Sequence, residues 1–130
     1  MLDHLDLNVA DLRRSRAFYE PFLTRVGYRR FEHGDGWCSF IDTPGSFYLV
    51  LVQTGSKHAA AGFHRKRVGV NHLAFPAPSA AAVDEMTSWL RERGVPPLYG
   101  SPLRMENRHA VFFEDPDRLK LEYVYRPAET

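Results

Sequence analysis

A chain of 130 residues, 44% apolar and 25% charged, lies within the range of one compact soluble domain with a working core. Seventeen Lys and Arg against sixteen Asp and Glu leave a formal net charge of +1, too weak a field to recruit nucleic acid or an anionic membrane. No apolar run approaches the ~20 residues of a membrane span. The single Cys38 excludes an internal disulfide and suits a reducing compartment, and a first strand close to Met1 leaves no room for a signal peptide. The expected location is cytoplasmic.

In chain order the pattern is strand, helix and three strands, repeated. His4 to Val9 alternates Leu5, Leu7 and Val9 with His4, Asp6 and Asn8, the period of a half-buried strand. Asp11 reads as a helix N-cap, with Leu12, Tyr19, Leu23 and Val26, beside Phe18 and Phe22, as the apolar face. Pro21 is expected to kink this helix, which stops at Gly27. Strands are predicted at Tyr28 to Glu32, Trp37 to Ile41 and Phe47 to Gln53, joined by two strong turn signals into an antiparallel meander. Cys38 falls in an apolar strand and reads as inert packing.

Thr54 to Arg67 lacks periodicity and reads as an inter-unit loop, with His64-Arg65-Lys66-Arg67 as a solvated basic run. Val70 to Phe75 begins the second copy. Ser79 is its N-cap, and Val83, Met86, Trp89 and Leu90 form the buried side of a helix ending at Gly94. Strands follow at Pro96 to Tyr99, His109 to Glu114 and Leu119 to Tyr125, with Asp115 to Arg118 as the last turn. Gly100 to Arg108 is a polar connection long enough to overhang a cavity. The expected domain is single, spanning 1–130, with module one at about 1–54, a loop at about 55–68 and module two at about 69–127.

The copies align residue by residue. His4-Leu5-Asp6-Leu7 matches His72-Leu73-Ala74-Phe75 at an offset of 68, and Phe47 to Val52 matches Leu119 to Val124. The fold class is therefore α+β, two tandem βαβββ modules whose sheets each leave one face without a helical cover. Strand parity turns His4, His72 and Glu122 away from the helix-packed side. A mid-strand carboxylate between Leu121 and Tyr123 is costly to bury without a positive partner, and two histidines with one carboxylate suit a divalent first-row ion. The competing reading pairs Glu122 with Lys120 or an arginine and packs the histidines against the sheet.

These residues resemble the vicinal oxygen chelate superfamily, the glyoxalase, bleomycin-resistance and extradiol-dioxygenase group. The resemblance runs through His4 to Val9, Asp11-Leu12, Ala17-Phe18-Tyr19, Val26-Gly27-Tyr28, Asn71 to Phe75, Phe113 to Asp117 and Leu121-Glu122. It implies a curved mixed sheet around a metal-binding cleft, usually in a homodimer. It carries the ligand roles for one divalent ion per chain (Fe, Mn, Ni or Zn) onto His4, His72 and Glu122. It also implies a small-molecule substrate offering vicinal oxygens, with anionic intermediates stabilised by the ion.

Departures from the branches narrow the chemistry. Val50 stands where the first module of glyoxalase I-like members supplies a ligand, and valine cannot bind metal or move a proton. Ala110 and Phe112 offer no grip for a phosphonate. Asp6, Tyr99 and His109 are the candidate catalytic residues, the last two by analogy with the acid and base of extradiol enzymes. The alternative class is a metal-free, bleomycin-resistance-like protein that binds an aromatic or cationic small molecule.

Overall fold

The structure is a computed structural model and describes residues 1–128. It divides into two compact units, Met1–Phe63 and the residues from His64 onward. No helix among the described residues is long and apolar enough to cross a membrane.

In the first unit, β1 (His4–Val9) leads into α1 (Leu12–Arg25), followed by β2 (Tyr28–Gly34), β3 (Trp37–Asp42), β4 (Tyr48–Gln53) and a short helix α2 (Ser56–Ala59) in the predicted loop. Asp11 caps α1 by accepting a hydrogen bond from the Arg14 amide at 3.1 Å. The helix buries Ser15, Tyr19, Phe22 and Leu23, one stripe at helical spacing. It continues through Pro21 to Arg25, so the proline does not end it. Gly27 then reverses the chain at φ +93°, where a Cβ would also meet Thr43 Oγ1 at 3.3 Å.

The strand order is β1-β4-β3-β2, with β1 parallel to β4 and the rest an antiparallel meander. Register builds cross-strand rows. Leu5-Leu49-Phe40 and Leu7-Leu51-Cys38 share the parity of the helix-packed face. His4-Tyr48-Ile41 and Asp6-Val50-Ser39 occupy the other face. Cys38 is buried, and that burial raises its thiol, as inert packing requires.

The second unit repeats this plan with β5 (His72–Pro76), α3 (Ala80–Glu92), β6 (Leu103–Met105), β7 (Arg108–Glu114) and β8 (Lys120–Tyr125), in the order β5-β8-β7-β6. Ser79 caps α3 through the Ala82 amide at 3.0 Å, and Val83, Met86, Thr87 and Leu90 are buried. Leu73-Leu121-Phe113 lies on the helix side. His72-Lys120-Glu114 and Ala74-Glu122-Phe112 are the opposite rows.

One strand differs from expectation. Pro96 to Tyr99 is not a strand; the third member of the meander is Leu103–Met105, inside the segment read as an overhanging connection. Pro96 and Pro97 have no amide hydrogens for a ladder, and the one backbone bond from residues 96–99 to the sheet is that of Leu98, which donates to Phe112 O at 2.8 Å. Leu103 and Met105 instead pack with Leu98 on Ala110, Phe112 and Val124. The basic run is also less solvated than its composition suggests, because Arg65 folds onto β7 and pairs with Glu114 at 3.0 Å.

Equivalent aspartates close the inner hairpin of each unit. Asp42 Oδ1 accepts from the Ser46 and Phe47 amides at 2.8 and 3.2 Å, and Asp115 Oδ1 from the Asp117 and Leu119 amides at 2.9 and 2.8 Å. Asp115 is buried. Replacing it by Ala removes two charge-assisted bonds and is expected to cost about 1.5–3 kcal/mol. Asp115→Asn, which keeps the acceptor oxygen, should cost less. Urea unfolding midpoints at constant slope measure both.

Candidate functional site

Glu122 projects from the middle of β8 onto the face that α3 leaves uncovered, and is only 3% exposed. Its Oε2 lies 3.1 Å from His72 Nε2, which projects from β5 at the adjacent edge. Its Oε1 is buried with no hydrogen-bond partner. The nearest positive group to that oxygen is Arg108, with a guanidinium nitrogen at 3.9 Å, too long for a hydrogen bond. A buried carboxylate with one unpartnered oxygen is unfavourable unless positive charge joins it. His72 is oriented from its other side, where Nδ1 meets the Asn71 side-chain oxygen at 2.7 Å. An oxygen hydrogen-bonded to one ring nitrogen in this way fixes which imidazole nitrogen is left to ligate.

Of the three proposed ligands, the structure therefore brings His72 and Glu122 together. His4 belongs to the first unit. Its ring stacks on Tyr48 at 4.7 Å, Nδ1 meets Asp3 at 2.7 Å, and Nε2 lies 3.8 Å from Asp6. Among the described residues no group of three His, Cys, Asp or Glu side chains is arranged to hold a metal ion. The donor chemistry of the pair suits a divalent ion nonetheless: an imidazole nitrogen, a carboxylate and a spare carboxylate lone pair.

Around the pair, Phe112 sets its ring edge-on to His72 at 6.3 Å and to Tyr99 at 5.7 Å. Tyr99 comes from the loop before β6 at φ +59° and accepts a hydrogen bond from Lys120 Nζ at 3.4 Å. Burial works to raise its phenol, but hydrogen bonds and positive charge from Lys120 and Arg65 outweigh this and hold it below the usual tyrosine value. His109 has no such place. Odd parity in β7 turns it toward α3, where Nε2 meets Asp84 at 2.8 Å, on the sheet face opposite Glu122. This corrects its candidacy as an acid or base beside the pair.

The first unit presents an open concavity of about 390 Å³ on its own uncovered face, lined by His4, Asp6, Glu32, Trp37, Ser39, Tyr48, Val50 and Val52. Asp6 is half-exposed there. Burial, and then the negative charges of Asp3, Asp6 and Glu32, push the Tyr48 phenol up. Glu32 and Tyr48 escaped placement in the sequence because a register irregularity between Arg30 and His33 breaks the parity of β2, and His4 stacking is a tertiary contact. Lys120 was visible only as a strand residue near Glu122, and Arg108 only as the end of the polar connection from Gly100.

The Glyoxalase/Bleomycin resistance protein/Dioxygenase superfamily model matches residues 1–123. The chain belongs to this superfamily. It is 42% identical to the Bacillus subtilis protein YqjT over 127 residues, covering 95% of this chain and 97% of that one. The crystal structure of a candidate glyoxalase from Bacillus halodurans superposes with a TM-score of 0.90 at 44% identity, over 96% of this chain and 95% of the other. The fosfomycin resistance protein FosX from Listeria monocytogenes shares the fold, with a TM-score of 0.72 at 20% identity over 98% and 93% of the two chains. The α+β class and the paired βαβββ units are those of this glyoxalase-like fold.

The tyrosines of this superfamily member divide by environment. Positive neighbours favour the Tyr99 phenolate, so its proton leaves first as pH rises, whereas Tyr28 and Tyr48, raised by burial, ionise late. In a near-ultraviolet titration the earliest phenolate step should vanish in Tyr99→Phe and move to higher pH in Lys120→Met. An early step that survives Tyr99→Phe belongs to another tyrosine.

Proposed function

We propose that the protein is a divalent-metal-dependent enzyme of the glyoxalase and dioxygenase type, acting on a small molecule with vicinal oxygens. The observation that carries this reading is Glu122: a carboxylate 3% exposed, one oxygen against His72 and the other without a partner. His72 and Glu122 would hold the ion, with His4 as third donor. When bound, the ion supplies Lewis-acid stabilisation of negative charge developing on the substrate oxygens, and Fe, Mn, Ni and Zn all suit these ligands.

The chain's own groups supply the rest. Ala110, Phe112 and Val124, with Leu98, Leu103 and Met105, form an apolar floor that keeps water from the Glu122 side of the second sheet. Asn71 holds the His72 ring. Asp6, half-exposed and 3.8 Å from His4, would accept or return a proton. Tyr99, whose phenol ionises more readily than usual, is the second proton-carrying group. The working form is a cytoplasmic homodimer.

A second reading rests on the first-unit concavity. Trp37, Tyr48, Asp6 and Glu32 offer aromatic faces and negative charge, the lining that suits a cationic aromatic molecule bound without turnover. Metal content separates the two. Protein purified without chelators is expected to carry about one ion per chain, with retention falling at least tenfold in His72→Ala and Glu122→Gln while the fold persists. Elemental analysis with circular dichroism reads both. Unchanged metal in Glu122→Gln removes that residue from the ligand set, and metal-free wild type that binds no added ion leaves the binding-protein reading.

A further inference from the structure

The uncovered face of the second unit is unevenly charged at its His72 end. Arg65 and Arg118 both engage Glu114, at 3.0 and 3.4 Å, so two cations already share that carboxylate. Lys120 pairs by register with Glu114 on one side and His72 on the other, yet its ammonium makes no ion pair with a carboxylate among the described residues. It sits instead 3.4 Å from the Tyr99 hydroxyl and 5.3 and 5.6 Å from the ring centres of Tyr99 and Phe112. Aromatic faces of this kind order a lysine stem and hold the charge in place without neutralising it. The Tyr99 oxygen accepts from Lys120, which leaves its own hydrogen to donate outward.

We propose that Lys120 Nζ and the Tyr99 hydroxyl form a subsite for an oxyanion on the substrate, a carboxylate or a phosphate group. This deepens the metal-dependent reading and rests on it for the word substrate. One oxyanion oxygen accepts from Lys120 and a second from Tyr99, while the rest of the molecule lies over Phe112 toward His72 and Glu122. The balance of charge fits that ligand. Two cations already share Glu114 and a third, Lys120, stands beside it in register, so an added anion relieves their mutual repulsion and any repulsion between Lys120 and a cation held by His72. The equivalent position in the first unit is Tyr48, among Asp3, Asp6 and Glu32, so the device belongs to the second unit alone.

Calorimetric titration of the full chain tests the subsite, using sodium phosphate, sodium acetate and neutral acetamide as probes at low ionic strength. Metal content and thermal midpoint are recorded for every variant. Saturable binding of an oxyanion but not of acetamide is expected, at least tenfold weaker in Lys120→Gln, several-fold weaker in Tyr99→Phe and largely restored in Lys120→Arg, with metal retained. Tighter phosphate assigns a phosphoryl-bearing ligand, and tighter acetate a carboxylate. No saturable oxyanion binding, or equal binding by wild type and Lys120→Gln, overturns the proposal. So does joint loss of metal and anion in Lys120→Gln, which would place the anion on the ion. Oxyanion binding that depends on Lys120 in a protein retaining no metal supports the subsite and fails the metal reading instead.

Discussion

Everything this chain offers chemically depends on the register of its inner hairpins, and a pair of buried or half-buried aspartates fixes that register. Asp42 and Asp115 each gather two backbone amides at the turn between the two central strands of their sheet. A slip of one residue in β8 would exchange Glu122 for Leu121 on the uncovered face and drive a carboxylate under α3. Burial works to raise the Asp42 carboxyl, but hydrogen bonds from Phe47, Ser46 and Gly45 hold it below its ordinary value, so the turn is tightest in the ionised state.

On that shared frame the two units have diverged in charge. The row Asp6-Val50-Ser39 corresponds to Ala74-Glu122-Phe112, so the carboxylate sits on the edge strand of one sheet and the central strand of the other. The row His4-Tyr48-Ile41 corresponds to His72-Lys120-Glu114, which keeps the histidine and changes its neighbours. One face pushes a tyrosine up and the other holds one down. Duplication thus supplied two copies of a scaffold, and substitution at a few uncovered positions gave each a different electrostatic character.

Most of the fold was legible because the apolar residues follow strict periods of two and 3.6 and because Asp11, Ser79 and the turn residues mark their ends. The repeat made the fold class and the parity of His4, His72 and Glu122 readable together. Residues 96–105 were not, since Pro96-Pro97 and the short strand Leu103–Met105 share a stretch where alternation is too brief to show a period. The environment of Lys120 was hidden for another reason. Its neighbours Tyr99 and Arg65 arrive from loops 21 and 55 positions away in sequence, and no local pattern reports such contacts.

Both histidines of the candidate ligand set ride on strands joined to their sheets by parallel pairing. His4 faces Tyr48 and His72 faces Lys120, each across a crossover that contains a whole helix and a meander. Closing such a loop carries an entropic penalty that a hairpin avoids. The antiparallel meanders with their aspartate turns pair locally and close at less entropic cost than β1 and β5, each hydrogen-bonded to a single neighbour. Glu122 stands on a strand held on both sides, so the candidate ligand set joins histidines placed by long-range pairing to a carboxylate placed by a local hairpin.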